Sequence, residues 1–183
     1  MIQYTESNES VASVADLKQQ LRIDADWSED DELLARYLLA ATSLAERRLQ
    51  VLLRPVETTQ VFDGFRTNSL RLSLGPVQEV RLVRYIAKGE SEFQELERER
   101  YRFNQVGIPA RVIATTDEGF PDAADTASVE VSYTAGYDRN VPAGLVQVVL
   151  MLAAKMYEYR DDPPHRMQTA TDRIIQTYRN QSF

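Results

Sequence analysis

Cysteine is absent from the 183 residues, which excludes disulfides, thiolate zinc sites and thiol nucleophiles. Histidine occurs once, at His165, directly after Pro163-Pro164. Ser-His-Asp catalysis or a multi-histidine metal site would have to run through that one side chain. No acid–nucleophile pattern stands near it, so it reads as structural or incidental. Glycine is sparse, and Gly64, Gly75 and Gly107 stand singly, so there is no glycine-rich phosphate loop. No apolar run reaches the roughly 20 residues of a membrane span. The most apolar stretch, Val141 to Ala154, carries Gln147 and fits a core helix. The opening MIQYTESNES is polar, so no signal peptide is expected. Lysine is nearly missing as well: 3 Lys stand against 18 Arg, and arginine suits bidentate ion pairs at protein interfaces.

What remains is globular, with 43% hydrophobic and 27% charged residues, enough for one ordinary domain with a real core. The net charge of −7 is unevenly placed. Residues 1–32 hold nine acids and two bases, whereas residues 33–183 balance at 19 of each sign. An acidic chain is a poor prior for a nucleic-acid binder, which needs clustered positive charge.

Hydrophobic period divides the chain in three. Residues 1–12 read as a frayed lead-in. Ser13 caps a short helix with Asp16 at its third position and Leu17 and Leu21 inward. Ser28 starts a longer helix whose first turn is acidic, Glu29 to Glu32, and whose end carries Arg47, Arg48 and Arg54. Leu34, Leu38, Ala41, Ala45 and Leu49 form its apolar stripe, and Pro55 bars its continuation. From Val56 to Tyr137 the period becomes two, as in Leu70, Leu72 and Leu74 or Val129, Val131 and Tyr133. Such alternation predicts an antiparallel sheet with one buried face. Helix returns at Pro142. Its next dozen residues leave almost no polar face, so it needs cover on every side, from the first long helix, the sheet or a neighbouring subunit. Met167 to Tyr178 makes a weaker amphipathic stretch with Ile174 and Ile175 inward. The expected class is α+β, a bundle of N- and C-terminal helices with an inserted antiparallel sheet. The expected division is 1–55, 56–137 and 138–183 within one domain overall.

Chemistry is hard to find. Glu90, Glu92, Glu95, Glu97 and Glu99 are the densest carboxylates, but Lys88, Arg98, Arg100 and Arg102 lie among them, as in a solvated charged hairpin. Asp24, Asp26 and Glu29 to Glu32 lack the glycine of an EF-hand loop and enter a helix directly, which fits capping better than calcium. No catalytic, metal or cofactor residue is assigned. Two other readings stay open: a carboxylate- and metal-dependent nuclease-type enzyme working through Glu90–Glu99, and a DNA-binding packaging factor using Arg160 to Arg179 with Tyr157, Tyr159 and Tyr178.

Several segments together point to one family. Asp16-Leu17-Lys18, Leu21-Arg22-Ile23-Asp24 and the acidic start of the Ala/Leu helix resemble the opening of tailed-phage head–tail connector proteins. Val131-Ser132-Tyr133-Thr134-Ala135-Gly136-Tyr137 followed by Val141-Pro142 is similar to that family's strand-into-helix junction. Leu150, Ala153-Ala154 and Tyr157-Glu158-Tyr159-Arg160 are similar to its helix end. The resemblance runs from about Asp16 to Arg160. It implies a structural part of a phage or gene transfer particle, not an enzyme: a head-completion or neck adaptor subunit assembled in the bacterial cytoplasm and carried in the virion. It implies a ring, usually of twelve subunits, with portal protein on one face and stopper or tail-completion protein on the other. DNA would pass through without sequence-specific binding, with no membrane and no cofactor. Arg160, Arg166, Met167, Arg173, Ile174, Ile175, Tyr178 and Arg179 are the candidate portal-docking residues. On that reading the Pro163-Pro164 break frees the tail, and truncation after Asp162 leaves stability nearly unchanged. The competing expectation is that the segment packs on its own helical core.

Overall fold

The computed structural model describes residues 1–4, 9–105, 109–115, 119–121, 126–138, 140–159 and 169–180. The chain divides into two compact units, Met1–Thr5 with Pro55–Gly136, and Glu6–Arg54 with Tyr137–Ser182. Among the described residues, four helices and eight strands make it an α+β fold, as the change of period predicts.

In the helical unit, α1 spans Val14–Leu21, α2 Asp31–Leu49, α3 Ala143–Glu158 and α4 Ala170–Asn180. The expected capping box opens α1. The Asp16 amide donates to Ser13 Oγ at 3.1 Å, and the Ser13 amide donates to Asp16 Oδ2 at 2.9 Å. The Ser13 hydroxyl, donating to Asp16 Oδ2 at 2.6 Å, and then the Ser13 amide hold the Asp16 carboxyl below its ordinary range. Leu17 is fully buried. A left-handed Arg22 ends the helix, and the Ile23 amide donates back to the Lys18 carbonyl at 2.9 Å.

Helix α2 is shorter than expected at both ends. Asp30, not Ser28, occupies the cap position, and no side chain caps the helix. The Asp30 carboxylate is instead taken by the Tyr157 hydroxyl at 2.8 Å. At the other end the chain leaves the helix at a left-handed Gln50, well before Pro55. Glu46 Oε1 accepts the Leu53 amide at 2.7 Å, which folds residues 51–53 back and buries Val51 and Leu53. The apolar stripe stands as expected: Leu34, Leu38, Ala41, Ala45 and Leu49 all lie in the core. Thr42 is tolerated there because its hydroxyl donates to the Leu38 carbonyl at 2.7 Å.

The nearly all-apolar α3 packs against α1, α2 and α4. Leu145, Val148, Val149, Leu150, Leu152 and Ala153 are buried in this way. The cover sought from a neighbouring subunit is therefore largely supplied by the chain's own helices. Ile175 of α4 is 7% exposed and belongs to the same core, with Ile174 and Tyr178 packed beside it. That corrects the expectation of a freed tail: α4 orders against its own unit, because its two isoleucines and tyrosine complete the apolar jacket around α3.

The other unit holds two antiparallel sheets. Strand β1 is Ile2–Tyr4, β2 Val56–Phe62, β3 Ser69–Arg71, β4 Val77–Ala87, β5 Phe93–Glu95, β6 Tyr101–Asn104, β7 Arg111–Ala114 and β8 Thr126–Ala135. The five-stranded order is β1-β2-β8-β4-β5, and the three-stranded order is β3-β7-β6. The lead-in is thus partly structured: Ile2 pairs with Gln60 and Tyr4 with Thr58. Strand β6 also went unread in the sequence.

Val56, Thr58 and Gln60 face the same side as Val129, Val131, Tyr133 and Ala135. Gln60 joins the two sheets: its Nε2 donates to the Arg71 carbonyl at 3.1 Å, and its Oε1 accepts the Ser73 amide at 2.9 Å. The Tyr133 hydroxyl donates to the same oxygen at 3.3 Å. Burial pushes the Tyr133 phenol up to about 12, so it stays a donor throughout the physiological range. Phe65 stacks on Phe120 at 4.6 Å and meets the edge of Tyr85 at 5.7 Å.

Candidate functional site

The docking residues expected from sequence fall into three groups. Arg160, Arg166 and Met167, like His165, lie outside the described residues. Ile175 faces the core. Arg173 is exposed, Ile174 and Tyr178 are half-buried, and Arg179 lies within α4. The structure therefore leaves Arg173 on the outward face with Gln176 and Thr177, and turns the apolar members of the set inward.

The start of α4 is locked more firmly than its sequence suggests. The Asp172 amide donates to Thr169 Oγ1 at 3.3 Å, and the Thr169 amide donates to Asp172 Oδ2 at 2.9 Å. This is a second capping box, legible as T-x-x-D but not read. Arg48 of α2 donates to Asp172 Oδ1 at 3.2 Å. The Thr169 bonds first, then the Arg48 and Lys155 charges, hold the Asp172 carboxyl below its usual value. Behind this anchor Thr171 is buried against Met151, and Tyr178 closes over Gly144, where a Cβ would stand 2.7 Å from the tyrosine oxygen. Between α2, α3 and α4 runs an open groove of about 680 Å³, lined among others by Tyr37, Leu44, Met151, Met156, Arg48 and Lys155.

The acidic segment at the start of α2 is partly used up by internal contacts. Lys18 is buried, with its ammonium 2.7 Å from Asp31 Oδ1 and 3.2 Å from the Ala25 carbonyl. Asp30 is held by Tyr157. Asp24, Asp26, Glu29 and Glu32 are exposed.

The carboxylates proposed for metal chemistry do not converge. Glu90, Glu92, Glu95, Glu97 and Glu99 are all exposed, and the described residues contain no group of three or more His, Cys, Asp or Glu arranged to hold a metal ion. Replacing Glu92, Glu95 and Glu97 together with Gln is expected to shift the melting temperature by no more than about 2 °C, since solvated carboxylates contribute little. A larger loss of thermal stability would show that these carboxylates are part of the fold's support.

Residues 11–72 match the family model described as phage gp6-like head-tail connector protein. No curated protein sequence matches the chain. Among solved structures, the fold is similar to a chain in the neck of the empty gene transfer agent particle computed with C6 symmetry. That likeness has a TM-score of 0.78 and 24% identity over 98% of this chain and 95% of the other. It is similar also to a chain in the virion of the native gene transfer agent particle, with TM-score 0.80 and 24% identity over 98% and 95%. A third, in the native neck computed with C12 symmetry, gives 0.74 and 23% over 98% and 94%. Residues 11–72 thus carry the gp6-like head-tail connector signature, on a chain that shares nearly its whole fold with chains of gene transfer agent particles.

Proposed function

We propose that this chain is a structural head–tail connector subunit, one copy in a ring, usually of twelve, set in the neck of a tailed phage or gene transfer particle. The observation that carries the reading is fold likeness across 98% of the chain to a chain of a particle neck, joined to the connector signature in residues 11–72. One face of the ring would meet the portal and the other the stopper or tail-completion protein. Its role is non-catalytic. DNA passes through, and an acidic chain of net −7 suits a conduit that must not grip phosphates. The outward side of α4, marked by Arg173, is the proposed portal-facing element, and Arg160, Arg166, Met167 and Arg179 belong to the same stretch of sequence. Ile175 is left out because it is already buried within its own unit.

Deleting the gene tests the reading. DNA-filled heads should accumulate without tails, with particle titre down by several orders of magnitude and restored by the gene in trans. Normal tailed particles from the deletion strain would sink the proposal.

A further inference from the structure

Three arginines share the outward face of the three-stranded sheet. Arg71 of β3 sits directly opposite Arg111 of β7, and Arg102 of β6 lies opposite Ile113 on the same side. Leu70, Val112 and Phe103 take the other side. All three arginines are exposed. Arg111 reaches Ser69 Oγ at 3.4 Å, and among the described residues no carboxylate pairs with any of the three. The arginines of the larger sheet differ: Arg81 pairs with Glu57 and Glu79, and Arg84 with Glu130. Like charges opposed across a strand pair destabilise it, so the free subunit gains nothing from this face.

The same chain carries the complement. Asp24, Asp26, Glu29 and Glu32 are exposed on the loop before α2 and at its start, and no basic side chain pairs with them among the described residues. Closed rings larger than a dimer are built from heterologous contacts, in which each subunit presents two different, mutually complementary patches. A basic sheet face and an acidic segment on one chain are such a pair.

We propose that the Arg71, Arg102 and Arg111 face of one subunit receives the Asp24–Glu32 segment of a second copy, which sets the register of the ring. This rests on the ring reading above. Exposed ion pairs are individually weak, so the contact would contribute orientation and encounter rate, and salt should screen it. Duplex DNA is the other polyanion to consider. Three phosphate contacts alone give only weak binding, whereas the chain's own acidic segment offers four carboxylates at the effective concentration of an assembling ring.

The experiment uses two full-length variants. One carries Arg71→Glu, Arg102→Glu and Arg111→Glu. The other carries Asp26→Lys and Glu29→Lys, with Asp24 kept because its carboxylate accepts the Asp26 amide at 3.2 Å. Sedimentation should show the native chain self-associating, with an apparent affinity that falls at least tenfold between low and 0.5 M salt. Each variant alone should stay monomeric, with a melting temperature within about 4 °C of the native one. Mixed in equal amounts, the two should associate again, because each reversed patch now meets its opposite. A native chain monomeric at both salts, variants that associate alone, or a mixture that stays monomeric would each overturn the inference. So would variants that keep native association but lose salt-sensitive retention of duplex DNA. Native association and charge-swap rescue that build only open, ill-sized oligomers would leave this contact standing and remove the ring.

Discussion

Truncation after Asp162 should lower the melting temperature by about 10 °C. The cut removes α4, whose Ile175 is 7% exposed, whose Thr171 is buried, and whose Ile174 and Tyr178 pack on the core. Uncovering the core surface that one buried isoleucine and two partly buried side chains now seal costs about 3 kcal/mol. In a chain of this length each kcal/mol moves the midpoint by about 2–4 °C. Within the full chain, Ile175→Ala should account for roughly 2–3 kcal/mol, while Arg173→Ala should be near silent. A truncated subunit that melts with the full-length protein would contradict the packing of α4. The anchor is also pH-dependent. Asp172 has a folded pKa below its unfolded value, so its contribution is complete above an ordinary carboxylate value of about 4 and disappears as pH falls through the lower folded one.

Lys18→Glu should be the most damaging single charge change, costing roughly 3 kcal/mol. The native side chain is 7% exposed, with its ammonium between Asp31 and the Ala25 carbonyl. A carboxylate there faces two oxygens with no donor to give, and must either take up a proton or push the 22–30 loop outward. Lys18→Met should cost only about 1 kcal/mol. Its stem keeps the packing, and Asp31 is 43% exposed in the first turn of α2, where the helix dipole favours negative charge. Urea titrations in which both variants lose the same stability would show that packing, not charge, governs this site.

Much of this was readable because it is local. The Ser13–Asp16 box, the α2 stripe and the alternation of Val129, Val131 and Tyr133 in β8 depend on neighbours a few residues apart, and the structure repeats them. The misses have other physical origins. Strands of three or four residues, β1 and β6, are too short to show a period. The α2 stop at Gln50 uses a left-handed residue with no glycine to mark it, and a glutamate side chain that reaches seven residues ahead. Pro163-Pro164 suggested a detached tail, yet a break in helix says nothing about where the next helix packs. The basic face on β3, β7 and β6 exists only through pairing register. Arg71 and Arg111 stand forty residues apart in the chain, and no spacing rule brings them together.

Strand β8 has a consequence for synthesis. It lies at the centre of the five-stranded sheet, between β2 and β4, yet is the last strand of that sheet to leave the ribosome. Until residues 126–135 emerge, β2 and β4 have no partner between them, and both carry unpaired backbone edges. The sheet therefore closes late and over long sequence separations, a slow kind of closure. For most of translation the nascent chain depends on dilution, or on a chaperone, to keep those edges from meeting the wrong strand.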